Sequence, residues 1–289
     1  MVQASAGMEI VGAMRTDTGL VRALNEDSVA WVTPHDDDVA ANRGSLALVA
    51  DGMGGHAAGE VASALAADVV RRLYYDLDGP IPQVLASAFA AANRAIIDYA
   101  QEHPECRGMG TTCTVLAFRD RHAWLAHIGD SRAYLLRDRH LVQLSEDQTL
   151  VAKLVSEGAL TQEAADRSPM HNVILQALGT TSNIKPMIGA KGLRLHVGDV
   201  FILCSDGVSN MVPDEKIADI ASRLPPQEAC DALIEAALAA GGNDNASLGV
   251  FAVTDGAARK RAPEPTTRRI TLPIGDNQNS AAGPGLLAQ

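Results

Sequence analysis

Apolar positions along the chain fall into two rhythms. Short runs rich in β-branched residues at 45–50, 113–118, 123–128, 133–136, 141–144, 200–204 and 248–253 predict strands. The runs between 113 and 144 are separated only by "RDRH", "GDSR" and a second "RDRH". Turns this tight predict antiparallel neighbours rather than crossover connections. Three other segments repeat with helical period: Val61, Leu65, Val69 and Leu73; then Leu85, Phe89, Ala92, Ile96 and Tyr99; then Cys230, Leu233 and Ala237. Blocks of helix beside an antiparallel sheet predict an α+β fold. The polar, mixed segment 145–186 reads as a small helical insert, and no internal repeat is visible.

Periodicity ends near Thr254. Residues 255–289 carry Pro, Thr and Gly with five basic and three acidic side chains, a composition that predicts a flexible tail behind a folded domain at 8–254.

The chain has 289 residues, is 47% hydrophobic and carries a net charge of −11. It can bury a sizeable core, and it has no general basic field for nucleic acid or an anionic membrane. Neither a membrane-spanning run nor a basic, then apolar leader is present, so a cytoplasmic protein is expected. Cys106, Cys113, Cys204 and Cys230 lack paired spacing, which points to reduced, buried thiols rather than a disulfide framework or a zinc site.

Against this background one stretch is conspicuous. In "SLALVADGMGGHAAGEVAS" an apolar strand ends in Asp51, three glycines within four residues and His56. Taken alone, Asp-Gly is a turn. Asp130 follows "AWLAHIG", Asp206 follows "DVFILCS", and Asp244 precedes the strand in "GGNDNASLGVFAV", so the same acid-and-small-residue corner recurs. Asp27 in "RALNEDSVAWV" makes a fifth acid at a strand end. Carboxylates crowded at strand ends repel unless cations neutralise them, and oxygen-only ligands select hard ions such as Mg²⁺ or Mn²⁺.

These residues also carry a resemblance. "GLVRALNEDS", "VADGMGGHAAGEVAS", "GMGTTCTVLAF", "AHIGDSRAYLLR", "LVQLSEDQTLVAKLVSEGALT", "ILQALGT", "GDVFILCSDGVSNMV" and "GGNDNASLGV" are similar, in order and spacing, to the motifs of bacterial PP2C-type (PPM family) protein serine/threonine phosphatases. The resemblance implies a β-sandwich of two antiparallel sheets flanked by helices, with 145–186 as a flap beside the site. It implies two core Mn²⁺ or Mg²⁺ ions and a third, looser one. Asp51 would bridge the core ions, the Gly52 carbonyl would bind one, and Asp206 and Asp244 would hold the other. Asp130 with Asp206 would serve the third ion, and Asp27 would act through a water or from behind the ligands. Arg22 would clamp phosphate, and His56 would protonate the leaving oxygen or merely hold the glycine turn. Gln148 and Ser247 depart from the common His and Thr of the family without touching a ligand.

The activity so implied is hydrolysis of phosphoserine and phosphothreonine on proteins by a metal-bridging hydroxide, without a covalent intermediate. The implied partners are phosphorylated proteins, including a bacterial serine/threonine kinase, met by a monomer acting in signalling. A catalytically silent phosphoprotein-binding regulator on the same fold is the alternative, against which stands the presence of all four ligand acids. Cys113 and Arg119 also match the C-x5-R spacing of cysteine-dependent phosphatases, but "TVLAF" between them has the pattern of a buried strand. In the tail, Thr266, Thr267 and Thr271 flank Arg268-Arg269, a segment that a partner kinase could phosphorylate.

Overall fold

The computed structural model describes residues 8–55, 58–170 and 172–256. In chain order, its strands are β1 (Met8–Asp17), β2 (Asp27–Val32), β3 (Ser45–Met53), β4 (Gly110–Thr111), β5 (Cys113–Arg119), β6 (His122–Ile128), β7 (Arg132–Arg137), β8 (His140–Gln143), β9 (Met187–Ile188), β10 (Leu193–Arg194), β11 (Val200–Cys204) and β12 (Ala246–Asp255). Its helices are α1 (Asp37–Arg43), α2 (Ala58–Asp76), α3 (Ile81–Glu102), α4 (Leu150–Ser156), α5 (Gln162–Asp166), α6 (Asp206–Ser209), α7 (Asp214–Arg223) and α8 (Pro226–Ala239).

Two antiparallel sheets form the centre, one in the order β1-β12-β11-β7-β8, the other β10-β6-β5-β3-β2 with β4 and β9 added at its side. Strand β3 shows why four layers arise. Leu46, Leu48 and Ala50 pack against α2 and α3, while Ala47 and Val49 meet Phe201, Leu203 and Phe251 of the other sheet. A strand buried on both faces reads as a continuous apolar run, which is how it looks in sequence. On the far side Ile202, Leu248 and Val250 pack against Cys230, Leu233 and Ala237 of α8. The α+β expectation and the helix-flanked sandwich therefore hold.

Two local expectations change. The runs from 113 to 144 are not one meander: β5–β6 and β7–β8 are antiparallel hairpins, but they lie in different sheets, and "GDSR" carries the chain from one sheet to the other. The buried face of α2 is also rotated from the stripe read in sequence. Ala62, Ala66 and Val70 are fully buried beside Val69, whereas Val61, Leu65 and Leu73 are only partly covered. Small side chains let α2 and α3 approach closely, so burial follows the packing partner rather than residue size.

The insert begins as expected with α4 and α5, each opened by a threonine whose hydroxyl accepts from the backbone N–H of Ala152 or Ala164. From 172 to 186 it continues as loop instead. All four cysteines are buried and unpaired. No helix among the described residues is long and apolar enough to cross a membrane.

Candidate metal centre

The pairing of strands brings the acids together. Asp27 lies opposite Asp51 in the β2–β3 register. Cys204 lies opposite both Arg132 and Leu248, so Asp206, Asp130 and Asp244, each just beyond those positions, share one end of the sandwich. A pocket of about 310 Å³ at this end is lined by Asp51, Asp130, Asp206 and Asp244, with Arg22, Gly52 and Glu26. Asp27 stands behind this wall.

Backbone bonds hold the Asp51 corner rigid. The Asp51 N–H donates to Thr112 Oγ1 at 2.9 Å, and its carbonyl accepts from Thr112 N at 2.9 Å and Thr111 Oγ1 at 2.8 Å. Glycine at 52 is required by close approach, since a Cβ there would strike the carbonyls of Gly59 and Glu26. At Gly129, with φ +110°, a Cβ would meet Thr112 at 2.6 Å, so the sheet-crossing turn that presents Asp130 also needs glycine. Gln148 secures this turn: Gly129 N donates to its Oε1 at 3.1 Å, and its own N–H donates to the Gly129 carbonyl at 2.8 Å. The departure from histidine at 148 thus has a structural role.

The electrostatics are those of an uncompensated acidic cluster. Burial, reinforced by Asp27, Asp206, Asp130 and Asp244, pushes the Asp51 carboxyl well above its ordinary value. Burial and the neighbouring acids push Asp27 and Asp130 up to about 7, and Asp206 is raised by burial and Asp244. Asp27 Oδ2 accepts from Ser205 Oγ at 2.9 Å, while its Oδ1 is buried without a hydrogen-bond partner. Among the described residues lining the pocket, Arg22 is the basic side chain; its Nη2 donates to Asp244 Oδ2 at 2.7 Å, and that bond raises its pKa. Among the described residues, no three acid, histidine or cysteine side chains are as yet gathered tightly enough to form a single ion's ligand shell. The donor set is nonetheless entirely oxygen, strongly anionic and partly orphaned, and it fits hard divalent cations.

Two residues have functions that sequence reading missed. Asn245, 6% exposed, accepts from Glu26 N at 2.8 Å and donates to the Thr18 and Leu24 carbonyls, each at 2.9 Å. It staples the loop that carries Arg22 to the turn before β12 that carries Asp244; the "NDN" spacing around Asp244 was the only local hint. Glu26 lines the pocket, and its carboxyl, raised chiefly by burial, accepts from Gly59 N.

His56 and the threonines of 266–271 lie outside the described residues. The C-x5-R spacing gathers nothing: Cys113 is fully buried at one end of β5, Arg119 is at the other, and burial pushes the thiol far up. A thiol so held is inert.

Comparison with known proteins agrees with this geometry. The family model described as protein phosphatase 2C matches residues 21–236. The serine/threonine protein phosphatase PstP of Mycobacterium tuberculosis is 44% identical over 246 residues, covering 84% of this chain and 45% of that protein; the chain thus spans about half the length of that relative. Protein phosphatase PhpP of Streptococcus pneumoniae is 35% identical over 253 residues, covering 86% of this chain and 98% of its own. The solved catalytic domain of PstP in complex with two manganese ions superposes with a TM-score of 0.74 at 40% identity, covering 86% of this chain and all of that one. Sequence motifs, sandwich and acidic pocket converge with a family model that takes in most of the folded part, and the chain belongs to the protein phosphatase 2C family.

Proposed function

We propose that this chain hydrolyses phosphoserine and phosphothreonine on proteins, using Mn²⁺ or Mg²⁺. The observation that carries the proposal is the convergence of Asp51, Asp130, Asp206 and Asp244 with Arg22 in one pocket. Asp51, Asp206, Asp244 and the Gly52 carbonyl would hold two core ions, Asp130 with Asp206 a third, and Asp27 would act through a water or by steadying Asp51 from behind. Divalent ions so held supply a nucleophile near neutral pH and offset charge on the transferring phosphoryl group.

The chain's own residues do the rest. Arg22 is half exposed, so exchanging Asp244 for a phosphate costs about 1 kcal/mol or less, and its planar fork can then grip two phosphate oxygens. Among the described residues lining the pocket there is no serine, threonine or cysteine, in keeping with direct attack on phosphorus rather than transfer to a hydroxyl or thiol. His56, outside the described residues, would protonate the leaving oxygen or hold the glycine turn.

The catalytic unit is 8–254 with 145–186 as flap; the tail expected at 255–289 lies, beyond residue 256, outside the described residues. The chain acts as a cytoplasmic monomer on phosphoproteins, among them a bacterial serine/threonine kinase. The test is hydrolysis of a phosphothreonine peptide with Mn²⁺ or Mg²⁺, expected to stop in EDTA and to fall at least about a hundredfold in Asp206→Asn. Full activity in EDTA, or an Asp206→Asn variant as fast as the parent, overturns it.

A further inference from the structure

Among the described residues nine large apolar side chains stand exposed, and six of them belong to two short segments: Leu20, Val21 and Leu24, and Met170, Val173 and Leu175. The first segment contributes Arg22 to the pocket wall, and the second contributes Asn172 and Ile174. Apolar surface is therefore concentrated on two segments that border an acidic pocket, the pattern expected of an interaction site.

Both segments are tied down by backbone. Leu20 N donates to the Gly242 carbonyl at 2.7 Å, and the Leu24 carbonyl accepts from Asn245. In the second segment Leu150 N donates to the Val173 carbonyl and Leu175 N to that of Gln148, both at 2.8 Å. Docking on surfaces already ordered loses little conformational entropy.

The occupant follows from the pocket. A phosphoresidue seated beside Arg22 fixes where its chain neighbours lie, because an extended chain advances only about 3.3–3.6 Å per residue. Residues within about three positions of it come within reach of segments that border the pocket.

Resting on the phosphatase reading above, we propose that these segments form a docking rim for an extended phosphopolypeptide with bulky apolar side chains within about three residues of the phosphoresidue. The rim sets a sequence preference at a site whose chemistry needs only the phosphate.

The full chain with Mn²⁺ is assayed on two phosphothreonine peptides of equal length and charge, one flanked by Leu and Val, the other by Ser and Gly. p-Nitrophenyl phosphate serves as a substrate that cannot reach the rim. The parent is expected to favour the apolar peptide about tenfold in kcat/KM. Val21→Ser with Val173→Ser brings that ratio to within about twofold and leaves p-nitrophenyl phosphate hydrolysis unchanged. Should that pair lose p-nitrophenyl phosphate hydrolysis through misfolding, Leu24→Ser with Met170→Ser is read in its place. A parent without preference, or variants that keep it, overturns the rim alone. Absence of Mn²⁺-dependent p-nitrophenyl phosphate hydrolysis in the parent overturns the phosphatase reading, and the rim with it. A dimer in sedimentation that the same substitutions dissociate, with no peptide preference, assigns the surface to a second copy of the chain instead.

Discussion

Asn245→Ala removes one acceptor and two donors from a nearly buried position. The Glu26 N–H and the Thr18 and Leu24 carbonyls lose their partner together. At about 1 kcal/mol per bond, with some rehydration of the half-exposed loop, the loss is about 2–3 kcal/mol. For a domain of this size that lowers Tm by about 5–10 °C. Asn245→Asp is the sharper probe. Its carboxylate still accepts from Glu26 N but turns acceptors toward two carbonyls and adds charge beside Asp244, so it should be less stable than the alanine variant at pH 7. Urea unfolding in EDTA measures both without the added stability that bound ions contribute. Because the staple positions Arg22, KM for a phosphopeptide should rise in Asn245→Ala more than kcat falls. An alanine variant within about 0.5 kcal/mol of the parent, or an aspartate variant more stable than it, refutes the staple.

Further outcomes follow from the same geometry. Arg22→Ala should lower kcat/KM for a phosphopeptide about 10–100-fold, mainly through KM, with Arg22→Lys recovering only part, since an ammonium cannot reproduce the fork; steady-state kinetics decide this. Cys113→Ser should keep metal-dependent activity within a few-fold, and its loss in a folded variant would reopen thiol chemistry. His127 is fully buried between Thr114 Oγ1 and the Glu146 carbonyl, and burial lowers its pKa from 6.5. Its neutral form is the folded one, so its contribution is complete above pH 6.5 and is lost as pH falls below it, at up to about 1.4 kcal/mol per pH unit. Unfolding measured from pH 7 to 5 should therefore fall less steeply in His127→Gln than in the parent, and parallel curves would dismiss the assignment.

Much of the site was legible along the chain because its signals are local. An acid beside glycine or serine at the end of an apolar run is visible in a single window, and Asp51, Asp130, Asp206 and Asp244 all carry it. The strands β3, β5, β7 and β11 were legible for the same reason, their burial on both faces leaving apolar runs. β1 escaped notice: it lies at a sheet edge and its positions are half-buried or exposed, so neither alternation nor a run marks it.

What the sequence by itself determined was the fold class and the kinds of residue at the site, since alternation, helical period and corner chemistry depend on neighbours a few positions apart. Tertiary structure alone decided that "GDSR" crosses between sheets, that α2 buries its alanines, that Asn245 ties the turn carrying Asp244 to Arg22's loop, and that two segments with exposed apolar side chains border the pocket. Each of these depends on strand register and packing between segments as much as 227 residues apart, and no local pattern encodes them.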